Sequence, residues 1–243
     1  MSFIRSASPA PANGEPRSVR DRSYGWRRGL HQIAAICSVA LLAVTGGPHA
    51  RAAAPIHIVA LGDSLTAGYG LAEKDGFVPR LQAALAKNGA TAEIANAGVS
   101  GDTASDGLAR LGWSVPSGTD AVIVELGAND MLRGVKPDVT RAALDSILQR
   151  LTARHISVLL CGMRAAPNLG ADYGRAFEQI YPALAAKYGA LLYPFFLDGV
   201  AADLNLIQQD GLHPNPAGVG VIVQRILPKA MELIARAEGR HPS

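Results

Sequence analysis

Ile56-His57-Ile58-Val59-Ala60-Leu61 runs directly into Gly62-Asp63-Ser64-Leu65-Thr66-Ala67-Gly68-Tyr69-Gly70. The first six residues are apolar save His57, the length of a buried strand, and glycines punctuate the stretch from Gly62 to Gly70. A strand entering a tight glycine turn lifts the Ser64 hydroxyl to the carboxyl edge of a sheet, where open α/β sheets place their ligands. A hydroxyl there is a nucleophile only if a base lies within reach. The chain offers one far downstream, in Asp210-Gly211-Leu212-His213-Pro214-Asn215.

Outward from that stretch the same alternation repeats. Apolar runs at 56–61, 92–95, 121–126, 156–161 and 190–195 read as strands. Between them Phe77–Lys87, Thr103–Leu111, Val139–Arg154 and Tyr173–Lys187 carry apolar residues at three- and four-residue spacing, and Ala217–Ala235 reads as a closing helix. Strands alternating with helices predict βαβ units, a parallel sheet and helices on both faces. Right-handed crossovers then restrict the topology. Neither an internal repeat nor a second domain is expected. Arg164–Asp172, with Pro167, Asn168 and Gly170, is the one long irregular stretch, and it can border the site.

The charge is unevenly spread. Residues 1–52 carry seven arginines against two acids, whereas the rest carries 16 basic and 18 acidic side chains. The overall net charge of +3 therefore belongs to the N-terminus and makes no case for nucleic-acid binding. That N-terminus reads as an export signal with a long leading extension. Arg27-Arg28 precede the apolar run Ile33–Val44, then Gly46-Gly47-Pro48 and Ala50-Arg51-Ala52, an A-x-A pattern that predicts cleavage after Ala52. At about a dozen residues the run is short of the roughly 20 that span a bilayer. The expected arrangement is a signal segment at 1–52, one domain at 53–243, and a periplasmic or secreted product. Cys37 lies inside the apolar run, away from the position of a lipid-attachment cysteine. The mature chain would keep Cys161 alone, which excludes an intramolecular disulfide and suits a buried strand end.

Acyl transfer by serine needs a nucleophile, a base for its proton and donors for the oxyanion. Ser64 offers the first. An imidazole serves as base near neutral pH, and Asp210, three residues before His213, can hold it in the productive tautomer. Taken alone, Asp-x-x-His before proline is more often a helix-capping loop than a catalytic pair; taken with Ser64, the balance reverses. Donors should come from the ends of the second and third strands, in Asn96–Thr103 and Glu125–Asp130. Gly101 can bring a backbone N–H close to an oxyanion, and Asn129 can offer a side-chain amide. Each of these turns also has a plain structural reading, with Asp102 as a helix N-cap. His57 and His155 stand isolated beside apolar runs, which suits structural roles. No His/Asp/Glu spacing suggests a metal, and neither a P-loop nor a dinucleotide fingerprint follows Gly68-Tyr69-Gly70, so no cofactor is expected.

Gly62-Asp63-Ser64-Leu65, Gly101, Gly127-Ala128-Asn129-Asp130 and Asp210–His213, in this order, resemble the four blocks of the SGNH, or GDSL, hydrolase family. The likeness runs from about residue 56 to 230 and is strongest with the family's bacterial periplasmic members. It implies a three-layer α/β/α fold with five parallel strands in flavodoxin-like order. It further implies Ser64 as nucleophile, His213 as base and Asp210 as its orienting acid. The oxyanion hole would comprise the Ser64 and Gly101 N–H groups and the Asn129 side chain. The implied substrates are small esters or thioesters, aryl esters and lysophospholipids among them, with at most transient lipid contact and no obligate protein partner. A carbohydrate O-deacetylase shares this core, and acyl-length profiling would separate it. A flavodoxin-like binding module would leave Asn129 and the Asp210–His213 pair without a task, and an envelope adaptor on a retired hydrolase fold would leave Ser64 inert to fluorophosphonates.

Overall fold

Gly62 ends the first strand, β1 (Ile56–Gly62), flanked in register by Gly98 of β2 (Ala92–Gly98) and Glu125 of β3 (Ala121–Glu125). This is a computed structural model that describes residues 54–240. The expected export segment at 1–52, with Cys37 and the cleavage site, lies outside the described residues. The sheet is completed by β4 (Ser157–Cys161) and β5 (Leu191–Tyr193), all pairs parallel, in the order β2-β1-β3-β4-β5. The strand order reverses between β1 and β3, which opens a crevice above their carboxyl ends. The five-stranded α/β expectation therefore holds. The central strands β3 and β4 are buried along their whole length, as their unbroken apolar runs require.

The crossovers explain the layering. Chain passage from β1 to β2 moves one way across the sheet, and every later crossover moves the other way. Right-handed connections therefore put α2 (Phe77–Lys87) on one face and α3 (Ala104–Ser114), α5 (Pro137–Ala153) and α7 (Ile180–Tyr188) on the other. The closing helix α8 (Pro216–Glu238) returns to pack on α2, while α3 packs on α5 and α5 on α7. Phe77, Val78, Leu81 and Leu85 form the buried stripe of α2, each side chain contributing roughly 1.5–3 kcal/mol by leaving water.

Two short helices escape the sequence pattern: α1 (Ser64–Ala67) and α4 (Ala128–Leu132), each barely one turn long. The helix expected over Tyr173–Lys187 is two, α6 (Ala171–Glu178) and α7, broken at Gln179. Pro182 lies four residues beyond Glu178 and supplies no N–H for that carbonyl, so the ladder is interrupted there. Asp102 is not the cap of α3. Thr103 caps it, exchanging hydrogen bonds with Asp106 in a capping box. Asp102 instead accepts from the Arg110 guanidinium at 2.5 Å. His57 and His155 lie at the strand ends remote from Ser64, and Cys161 is fully buried at the end of β4, where burial pushes its thiol up. Among the described residues no helix is long and apolar enough to cross a membrane.

Candidate active site

Ser64 opens α1, and the turn beneath it is tied from inside. Asp63 is completely buried and accepts the Leu65 N–H on Oδ1 at 3.0 Å, while Gly68 closes the helix in the left-handed region. The serine thus stands at the carboxyl end of β1, beside the reversal of strand order.

The His213 imidazole reaches it from a loop 149 residues on. His213 Nε2 lies 2.9 Å from Ser64 Oγ, and its Nδ1 lies 2.6 Å from Asp210 Oδ2. Asp210 also accepts the Leu212 and His213 N–H groups on Oδ1 at 2.9 and 3.0 Å. The His213 N–H, then the Leu212 N–H and the imidazole, stabilise the carboxylate, whose pKa falls to about 2. An ionised Asp210 accepts from Nδ1–H, leaving the lone pair of Nε2 facing the serine hydroxyl.

That loop is held by residues the sequence reading did not single out. Ile207 and Pro214 form an antiparallel bridge, and the Gln208 N–H donates to the His213 carbonyl at 2.7 Å. The Gln208 side-chain amide donates to the Pro214 carbonyl at 2.9 Å and to the Tyr69 carbonyl at 2.8 Å. One side chain thereby joins the loop of His213 to the turn of Ser64. Asn215 caps α8 through the Ala217 and Gly218 N–H groups. The half-exposed Tyr69 ring lies against the imidazole, 4.7 Å between centroids. No pattern in the chain marks Gln208, because both carbonyls it bridges are anonymous in sequence.

The three expected oxyanion donors differ in state. The N–H groups of Ser64 and Gly101 donate to no protein acceptor among the described residues. Gly101 holds φ +90°, in the left-handed region, and a Cβ there would have no neighbour closer than 3.6 Å. The position thus favours glycine for its backbone angle more than for space. Asn129 is engaged: its Nδ2 donates to the Asp102 carbonyl at 3.0 Å and to Asp63 Oδ2 at 3.2 Å. Asp130 beside it is structural, accepting the Ala104 N–H and the Thr140 hydroxyl, both at 2.8 Å, and so pinning α3 and α5 to α4.

Ser64, Gly101, Asn129 and His213 all line one cleft of about 540 Å³. Its walls are apolar: Leu65, Met131, Met163, Phe195 and Leu197 among them, with Tyr69, Leu132 and Leu212 exposed at the surface. The loop after β4 does border it, through Arg164–Pro167, and the Arg164 guanidinium lies over the Phe195 ring at 4.9 Å. Among the described residues no group of three or more His, Cys, Asp or Glu could hold a metal ion.

A hydroxyl leaning on an imidazole that leans on a carboxylate, set at the switch point of a parallel sheet above an apolar cleft, defines a serine hydrolase of the α/β/α kind. Residues 60–221 match the model of the GDSL-like lipase/acylhydrolase family, and the chain belongs to that family as a serine ester hydrolase. Esterase TesA of Pseudomonas aeruginosa is 38% identical over 178 residues, 73% of this chain and 89% of that protein. Thioesterase 1/protease 1/lysophospholipase L1 of Escherichia coli strain K12 is 40% identical over 166 residues, 68% of this chain and 78% of that protein. Among solved structures, AlinE4, an SGNH-hydrolase family esterase, is 47% identical with a TM-score of 0.63, covering 73% of this chain and 96% of its own.

Proposed function

We propose that the chain hydrolyses aryl and acyl esters through an acyl-enzyme on Ser64. The observation that carries this reading is the unbroken hydrogen-bonded series from Asp210 through His213 to Ser64, opening onto the apolar cleft. Ser64 Oγ attacks the ester carbonyl while His213 Nε2 takes its proton, and Asp210 steadies the imidazolium that forms. The tetrahedral oxygen is received by the Ser64 and Gly101 N–H groups and by the Asn129 amide. Collapse expels the leaving alcohol or thiol, which takes the proton from His213. Water then loses a proton to His213 as it attacks the acyl-enzyme, and collapse returns that proton to Ser64 Oγ as the acid departs. No step calls for a metal or cofactor.

The cleft walls favour an aryl or alkyl acyl group over a sugar, since beyond the proposed machinery their lining is mostly apolar, with Tyr69, Ser100 and Arg164 the polar side chains. Thioesters and lysophospholipids fit the same chemistry as further substrates. Residues 1–52 act as an export segment in this reading, delivering the domain from residue 53 onward to the periplasm or beyond. Replacement Ser64→Ala should lower turnover of p-nitrophenyl acyl esters by about 10³-fold or more, with an unchanged circular dichroism spectrum. A folded variant with near wild-type turnover overturns the assignment.

A further inference from the structure

Beneath Ser64 lie two acids that no step of the proposed reaction uses. Asp63 and Glu125 are both 0% exposed, and the register of β1 against β3 sets Gly62 opposite Glu125, so the two side chains share one dry floor. The two carboxyls stand close enough that the charge of Asp63 bears on Glu125. Two ionised carboxylates side by side in a dry site repel and offer each other only acceptors, whereas a proton on one of them turns it into a donor for the other.

The surroundings decide which. Asp63 is furnished as a carboxylate, with the Leu65 N–H on Oδ1 and the Asn129 amide on Oδ2. Glu125 has the Thr66 hydroxyl on Oε2 at 2.8 Å and the Asp63 N–H nearby, and its buried Oε1 has no hydrogen-bond partner. A proton on Glu125 turns that orphaned acid into a donor. Arg110 of α3, which reaches the Gly62 carbonyl, pairs with Asp102 and donates to the Ser114 hydroxyl, and among the described residues neither Asp63 nor Glu125 has an ion pair.

We propose that Glu125 is a positioning residue that keeps its proton at neutral pH and donates it to Asp63, holding Asp63 as the carboxylate on which the Asn129 amide is anchored. Its kinetic consequence rests on the acyl-transfer reading; the proton itself does not. Burial first, and the neighbouring Asp63 charge second, hold the Glu125 carboxyl well above the usual range, whereas burial raises Asp63 to about 6. Above that value Asp63 is ionised and Glu125 is not. The other titratable groups facing the pair agree. Cys161, opposite Glu125 on β4, and Tyr181 of α7 are both pushed up by burial and stay neutral, while an imidazolium at His213, whenever it forms, favours ionised Asp63. The floor under the nucleophile then holds one negative charge instead of two, and the chain Thr66–Glu125–Asp63–Asn129 ends on an oxyanion donor.

Infrared spectra of the wild-type protein in D2O at neutral pH should show the carbonyl band of a protonated carboxylic acid that disappears in Glu125→Gln. Glutamine still accepts from Thr66 and donates to Asp63, so kcat should remain close to wild type. Glu125→Leu, of similar volume but without a donor, should lower kcat by about tenfold, toward the 10²–10³ that losing an oxyanion donor costs, with little change in KM. Absence of the acid band in the wild type overturns the proposal, as does a Glu125→Gln variant as slow as Glu125→Leu. Labelling of Ser64 by a fluorophosphonate separates the two readings: a wild-type serine that resists it sinks the acyl-enzyme, and the infrared band still decides the proton.

Discussion

Asp63 lies beside Ser64 and Asp210 reaches it through His213, yet the two acids titrate in opposite directions. Asp210 is depressed from 3.8 to about 2 by three hydrogen bonds, so its contribution to stability is present above 3.8 and is lost as pH falls toward 2. Asp63 is raised from 3.8 to about 6 by burial, so its native state holds a proton the unfolded chain has released. That contribution is complete below 3.8 and is lost as pH rises through 6. Thermal unfolding between pH 4 and 7.5 should therefore show Asp63→Asn gaining stability relative to wild type as pH rises; parallel curves would refute it. At this scale the proposed nucleophile, base and orienting acid were legible because each stands in a block of distinctive residues. Glu125 and Gln208 were not. Their roles depend on which carbonyl or carboxylate lies across a crossover, and no local pattern encodes that.

Among the elements, the loop Asp203–Asn215 carries the heaviest duty without regular structure. Its Ile207–Pro214 bridge and the Asn215 cap seat it on α8, and the Gln208 amide fastens it to the Tyr69 carbonyl. Gln208→Glu preserves length but removes both donated bonds, so His213 should drift from Ser64. The expected result is a kcat about tenfold lower at nearly constant KM, since misplacement by about an ångström costs up to 10². A matching loss in KM alone would place Gln208 in substrate binding instead. Strands were readable as apolar runs and long helices as periodic stripes. Single-turn α1 and α4 are too short to show a period, and the α6–α7 break follows from one missing N–H at Pro182.

For the whole molecule, βαβ alternation announced a parallel sheet, but not the strand order. Continuous runs such as 121–126 look alike wherever they sit in a sheet, and the order β2-β1-β3-β4-β5 came only with the family likeness. Residues from Ala54 onward supply a core on both faces of that sheet together with every group of the proposed site. A chain begun at Ala53 should accordingly fold cooperatively and hydrolyse p-nitrophenyl esters with the kcat/KM of the full chain. Loss of activity in a folded truncation would assign residues 1–52 a part in the enzyme beyond export.

The Asn129 amide has both its hydrogens already placed, on the Asp102 carbonyl and on Asp63. To meet a substrate it must loosen its hold on the Asp102 carbonyl, and an ester carbonyl is no better an acceptor than the peptide carbonyl it would replace. An oxygen that has become negative is far better. In the proposed reaction Asn129 is then indifferent to the resting ester and commits only as charge accumulates, so its contribution falls on the barrier and not on the encounter. The exchange works as a threshold: the pocket can stay permissive toward the shape of what enters, because assent is withheld until the bond has begun to change.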